Sequence, residues 1–223
     1  HGKVNMASAL CYSCNCYFIN LIEKIGFKKV LESAADLGFG SSVELAYGMK
    51  TYSGSLPQLK ELESAEARAN FSFGQGALSA NIIQVASLYA AIANGGKYTE
   101  PYLVQGLCDE DGEIFSSHIS KSPFRLFSSE NTNLISSFLE LAVREGTGKA
   151  AAVADINVCG KTATAQSGEF IQGSERLVTW FAGYFPYESP EYAVVIMCDD
   201  GESGSVDCAP VFSKTVTANI NNY

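Results

Sequence analysis

The chain has 223 residues, 47% of them hydrophobic and 17% charged, with a formal net charge of -9 and a pI of about 4.7. Such a length and apolar content suit one globular domain with a sizeable core, and no low-complexity run or repeat interrupts it. The acidic balance lacks the basic footprint of a nucleic-acid binder, so no nucleic-acid partner is expected, although one well-placed lysine can still dominate a cleft.

From the N-terminus, Asn5 is a candidate N-cap, and Leu10, Cys14, Tyr17, Phe18, Leu21, Ile22 and Ile25 recur at helical spacing until Gly26 stops them. Residues 28–37 read as a second helix ended by Gly38-Phe39-Gly40, and residues 41–76, weakly periodic with Gly54, Pro57 and Gly74, read mostly as loop. Asn81 caps an amphipathic helix through Ile82, Val85, Ala86, Tyr89 and Ile92, closed by Asn94-Gly95-Gly96. Short strands are expected over 98–107 and 113–119, around the Asp111-Gly112 turn. A helix capped by Ser129 then runs through Leu134, Ile135, Phe138, Leu139 and Ala142 to a break at Gly146-Thr147-Gly148.

The character then changes. Segments 156–165, 177–185 and 192–198 are rich in β-branched and aromatic residues and predict three strands in an antiparallel meander. Beyond Asp207, the spacing of Val211, Phe212, Val216 and Ile220 predicts a closing helix. The expected fold class is α/β of the α+β type, an antiparallel sheet flanked by helices. Residues 1–150 form its mainly helical part, and 151–223 its sheet strands and C-terminal helix.

Two uncharged stretches, 4–22 and 69–96, contain too many Asn, Gln, Ser and Gly to span a bilayer, so no membrane segment is expected in this chain. No signal-like N-terminus is present, and any targeting segment is expected to lie outside these residues. The seven cysteines, Cys11, Cys14, Cys16, Cys108, Cys159, Cys198 and Cys208, are odd in number and show no disulfide framework. Cys11, Cys14 and Cys16 invite a metal, but His1 and His118 are the only histidines and no second cluster supplies ligands. Small buried thiols are the better reading, and neither metal nor cofactor is expected.

Several motifs are ruled out. Gly160-Lys161-Thr162 resembles the end of a phosphate-binding loop, but Asp155 stands where that loop needs glycine. G-x-G-x-x-G, G-x-S-x-G and H-E-x-x-H are absent. Two short motifs remain: Ser13-Cys14-Asn15, where the first helical segment is interrupted, and Lys161-Thr162-Ala163-Thr164, on the first strand of the meander. Either alone is weak; in this order, with a helical segment between, they match two of the three signatures of penicillin-recognising serine enzymes.

The stretch from Ala9 to Phe18 resembles the S-x-N segment of class B penicillin-binding proteins. Phe73-Gly74-Gln75-Gly76, with Gln84 and the 91–96 helix end, resembles their G-Q-G turn and the helix after it. Gly146-Thr147-Gly148 with the 160–166 segment is similar to their K-T-G strand and its approach, while 180–186 and 209–212 are similar to their last strands and final helix. The likeness covers nearly the whole chain and identifies it as the C-terminal part of a transpeptidase (penicillin-binding) domain, a fold related to serine β-lactamases, with its N-terminal part missing.

The resemblance implies acyl transfer at a serine: a nucleophile in an S-x-x-K attacks the D-Ala-D-Ala end of a peptidoglycan stem peptide, and β-lactams mimic that end. It implies catalytic roles for Ser13 as proton relay, Asn15 as a substrate-amide ligand and Lys161 as a cation facing the terminal carboxylate. It also implies substrate binding by Thr162, Ala163 and Thr164, with the Thr164 N–H as half of an oxyanion hole. Partners implied are the stem peptide, β-lactam antibiotics and cell-wall or division proteins. The implied location is the extracytoplasmic face of a bacterial membrane, reached through an anchor outside these residues.

The bland alternatives are that Ser13 caps a helix, that Lys161 is a surface lysine, and that Trp180 belongs to the core. Two departures stand out. Ala163 replaces the usual glycine, and a methyl group pointing into the cleft would crowd a substrate. No serine is followed by lysine three positions later, so the nucleophile is expected upstream of His1, the fragment inactive alone, and the surface under the missing segment uncovered. The competing functions are a D,D-carboxypeptidase or β-lactamase-like hydrolase, and a non-catalytic scaffold or sensor of the same fold.

Overall fold

The computed structural model describes residues 1–220. It opens with helices α1 (Met6–Cys11), α2 (Asn15–Ile25) and α3 (Phe27–Asp36). Asn5 starts α1 through a capping box: its Oδ1 accepts from the Ser8 N–H at 2.9 Å, and the Ser8 Oγ accepts from the Asn5 N–H at 3.0 Å. Gly26, at φ 96°, turns the chain from α2 into α3.

Residues 41–76 hold more structure than expected. Strands β1 (Glu44–Ala46) and β2 (Met49–Lys50) pair antiparallel, a 3-10 turn spans Leu59–Leu62, and α4 covers Ala65–Ser72. The sequence of α4 alternates Ala with polar residues, so it carries no apolar stripe. Its caps were the available signal, because Ser64 accepts from the Ala67 N–H at 3.0 Å and Glu66 stands in the positive first turn.

Helix α5 (Ile82–Ala93) forms where Asn81 predicts it, through a reciprocal box with Gln84 whose bonds both measure 2.9 Å. Gln84 is 2% exposed, and its Nε2 donates to the carbonyls of Gly38, Ser41 and Ser53 at 2.8, 3.0 and 2.9 Å. One buried amide therefore ties the irregular segment between α3 and α4 onto α5.

The strand expected over 98–107 is cut down to its ends. Pro101 lacks an N–H to pair, and only β3 (Lys97–Tyr98) and β4 (Gly106–Cys108) form on either side of it. Strand β4 pairs with β5 (Ile114–Ser117) and β3 with β6 (Phe124–Arg125). Helix α6 (Ser129–Arg144) has Ser128, not Ser129, as its N-cap, accepting from the Asn131 N–H at 3.2 Å. Ser129 instead bonds the Gly95 carbonyl at 3.3 Å.

The meander is as expected. Strands β7 (Cys159–Ile171), β8 (Ser174–Phe185) and β9 (Tyr192–Asp199) pair antiparallel in the order β7-β8-β9. Strand β7 starts three residues later than the sequence pattern suggests, because Ile156 is taken up in an isolated bridge with Val153. A π-helical turn, Gly204–Cys208, leads into α7 (Ala209–Ile220).

Strand alternation sends side chains to two covered faces. On one, Val158, Phe181 and Phe185 pack against Phe212 and Val216 of α7. On the other, Cys159 and Tyr184 pack against Leu139 of α6 and Tyr89 and Ile92 of α5. Each fully buried Phe or Val contributes about 1.5–3 kcal/mol, so this double burial fixes the register of the sheet. Past the Val178–Asp199 pair, β7 and β8 continue without β9 as a two-stranded ribbon to the Gln172-Gly173 turn. Arg176 braces it through ion pairs with Glu169, at 2.6 Å, and with Asp199.

Candidate active site

Strand β7 is an edge of its sheet, with β8 on one side only. Gly160 precedes the lysine there because the Phe181 ring lies across it: a Cβ would stand 2.4 Å from the ring. Lys161 follows on the α5/α6 face, half-buried. Its Nζ donates to the Thr147 Oγ1 at 2.9 Å, the Thr162 carbonyl at 3.0 Å and the Thr162 Oγ1 at 3.2 Å. Burial lowers its pKa from 10.5 to about 8, against a smaller opposing effect of negative charge at Cys11. Among the described residues, Lys161 takes part in no salt bridge, so its acceptors are all neutral.

Thr162 donates from Oγ1 to the Thr147 Oγ1 at 2.9 Å. The Thr164 Oγ1 accepts a long bond, 3.4 Å, from the Gly204 N–H. The Thr164 carbonyl accepts from the Gln75 Nε2 at 3.3 Å, which places it on the open edge of β7. In an antiparallel strand a residue's N–H and C=O point to the same side, so the Thr164 N–H shares that edge. Ala163 pairs with Trp180, which in turn pairs with Met197. Alternation puts the Ala163 methyl on the face of Lys161. Trp180 is half-buried and Met197 is 45% exposed, so this row is less covered than the core below it.

Ser13 and Asn15 arrive from the helical side. Helix α1 ends in a Schellman pattern: Cys14 N–H to the Ala9 carbonyl at 2.8 Å, and Ser13 N–H to the Leu10 carbonyl at 3.3 Å. Ser13 occupies the left-handed position of that motif, with φ 55°, where glycine is usual and another residue is strained by about 1–2 kcal/mol. The N-cap of α2 is Cys14, which makes no side-chain cap bond, so Ser13 is not a helix cap. Asn15 is the first residue of α2, and both Ser13 and Asn15 are exposed.

The Gly146-Thr147-Gly148 break joins the two sides. The Thr147 N–H donates to the carbonyl of Cys11, two residues before Ser13, at 3.1 Å, while the Thr147 hydroxyl receives Lys161. A Cβ on Gly146 would lie 2.2 Å from that Cys11 carbonyl oxygen and 2.7 Å from the Cys11 Sγ. The S-x-N turn and the lysine strand are thus linked through one threonine, and only glycine lets them come that close. Sequence reading singled out this break as an approach to the strand but missed Thr147 as a ligand of Lys161; a lone threonine offers no pattern to notice. All seven cysteines are free thiols, and among the described residues no cluster of metal-ligating side chains occurs.

The S-x-N turn and the lysine–threonine strand, linked through Thr147, carry two of the signatures of the penicillin-recognising class of proteins. Within it, the family described as penicillin binding protein transpeptidase domain matches residues 1–217, and this chain belongs to that family. It is 29% identical over 90% of its length to the peptidoglycan D,D-transpeptidase FtsI homolog of Mesostigma viride, covering 36% of that protein. It is 30% identical over 99% of its length to stage V sporulation protein D of Bacillus subtilis, covering 34% of it. The chain therefore spans about a third of the length of these curated relatives. Among solved structures, the D,D-transpeptidase domain of a peptidoglycan glycosyltransferase from Eggerthella lenta superposes with a TM-score of 0.82 at 27% identity, covering 99% of this chain and 54% of that one.

Proposed function

We propose that this chain is the substrate-anchoring part of a serine D,D-transpeptidase that cross-links peptidoglycan stem peptides and is acylated by β-lactams. The observation that carries the reading is Lys161: a half-buried ammonium whose acceptors among the described residues are all neutral, with the Thr162 hydroxyl 3.2 Å away, on a strand whose outer edge is open at Thr164. A peptide's terminal carboxylate supplies the missing opposite charge, and forms charge-assisted bonds to lysine and hydroxyls together.

An extended peptide laid along β7 places its scissile carbonyl near the Thr164 N–H, which supplies one oxyanion donor; losing such a donor typically costs about 10²–10³ in rate. Asn15 orients the peptide amide with its carboxamide. Ser13 passes a proton between the nucleophile's base and the leaving nitrogen, because a hydroxyl both donates and accepts. The nucleophilic serine and its lysine lie in a segment outside these 223 residues, and that segment packs over the Trp180–Met197 row. The parent protein works outside the cytoplasmic membrane among other cell-wall or division proteins.

Ala163 favours a second reading, a non-catalytic scaffold of the same fold, since its methyl shares the face of Lys161 and narrows the groove. Fluorescent penicillin separates the two. A longer polypeptide carrying the upstream segment takes the label covalently, and the 223-residue chain alone does not. Labelling of the short chain would refute the missing nucleophile, and a longer polypeptide that never labels would refute the enzyme.

A further inference from the structure

The turn after α4 is Gly74-Gln75-Gly76, whose two glycines take φ values of 83° and 75°. The Gln75 N–H is pinned to the Asn70 carbonyl at 2.9 Å, and its half-buried side chain reaches across to β7, 89 residues away in sequence. There its Nε2 donates to the Thr164 carbonyl at 3.3 Å. That carbonyl lies on the open edge, where a strand adding to β7 places a main-chain N–H. A carboxamide N–H and a peptide N–H are chemically equivalent donors.

We propose that Gln75 is a guard of the substrate-binding strand edge that works by exchange. Its carboxamide mimics the first amide of an incoming peptide, keeps the β7 edge closed to unrelated strands, and leaves Thr164 when the true peptide arrives. Unguarded strand edges recruit other chains, and a side-chain guard protects an edge that must stay open to one ligand. The inference rests on the peptide-binding reading above. Because the guard and the peptide compete for one acceptor, removing the guard tightens binding. A neutral hydrogen bond of this kind corresponds to about two- to tenfold in affinity.

The test is calorimetric titration of an N-acylated peptide ending in D-Ala-D-Ala into the 223-residue chain and its Gln75→Met, Gln75→Ala and Thr162→Val variants. Methionine keeps the length of the side chain without the donor. Both Gln75 variants are expected to bind about two- to tenfold more tightly than the unsubstituted chain and Thr162→Val more weakly. The Gln75 side-chain NH2 resonances should also shift as peptide is added to the unsubstituted chain. A merely structural contact predicts the reverse, weaker binding on its loss. If both Gln75 variants bind equally or more weakly while Thr162→Val still loses affinity, exchange is wrong and the peptide reading stands. If none of the four proteins binds the peptide, both fall.

Discussion

Substituting Gly146 by alanine tests whether its close contact with Cys11 clamps α1 against α6. The new Cβ would stand 2.2 Å from the Cys11 carbonyl oxygen, 2.7 Å from the Cys11 Sγ and 2.9 Å from the Ala142 carbonyl oxygen. Two of these three atoms are backbone, so no side-chain rotation relieves the clash; α1 must withdraw from α6. Overpacking of this kind costs about 1–3 kcal/mol, and the stretched Thr147–Cys11 hydrogen bond adds about 1 kcal/mol. For a chain of this size the sum lowers the melting temperature by about 5–15 °C. The same withdrawal carries Ser13 away from Lys161, and displacements of about 1 Å at such geometries cost up to about 10²-fold in function. Gly148→Ala is the graded control, its Cβ reaching only 3.1 Å from the Ala142 carbonyl oxygen. Differential scanning calorimetry with peptide titration reads both effects. A Gly146→Ala protein that melts within about 2 °C of the parent chain and binds peptide equally well would refute the clamp.

Two further outcomes follow from the chemistry of single side chains. Burial lowers the Lys161 pKa from 10.5 to about 8, so between those values the folded chain holds fewer protons than the unfolded one. Its contribution to stability therefore rises with pH across that window, and the penalty for the charged form is full below about pH 8. Compared with Lys161→Met, melting curves should converge as pH rises from 8 towards 10.5, and parallel curves would contradict the shift. Gln84→Ala strips the donor shared by the Gly38, Ser41 and Ser53 carbonyls. Chemical denaturation should show a loss of about 3–5 kcal/mol, and a loss below about 1 kcal/mol would mean water replaces the amide readily.

Where sequence reading succeeded, local chemistry and tertiary packing agreed. Asn81 and Gln84 are three residues apart before an apolar run, and they form the cap that this spacing implies. The β-branched and aromatic runs became a meander because both sheet faces are buried, by α7 on one side and α5 with α6 on the other. Where it failed on secondary structure, a local signal was passed over. Helix α4 has almost no apolar stripe, and residues 98–107 have strand-like composition interrupted by one proline. At the candidate site, the residue types were legible but their coupling was not. That Thr147 receives Lys161, that Ser13 takes a left-handed backbone, and that Gln75 reaches Thr164 all depend on segments that meet only after folding.

The β7–β8 ribbon beyond Val178 has consequences for how such a groove can change over time. Its outer half pairs with no third strand and is braced by the Arg176 ion pairs and by the Gln166–Glu175 hydrogen bond, whereas Thr162 and Thr164 sit on the inner half, over the three-stranded sheet. Lengthening, shortening or recharging the tip alters what the protein meets at a distance while Thr162 and Thr164 stay in register. The outer tip and the Thr162–Thr164 segment are, in this architecture, separately adjustable.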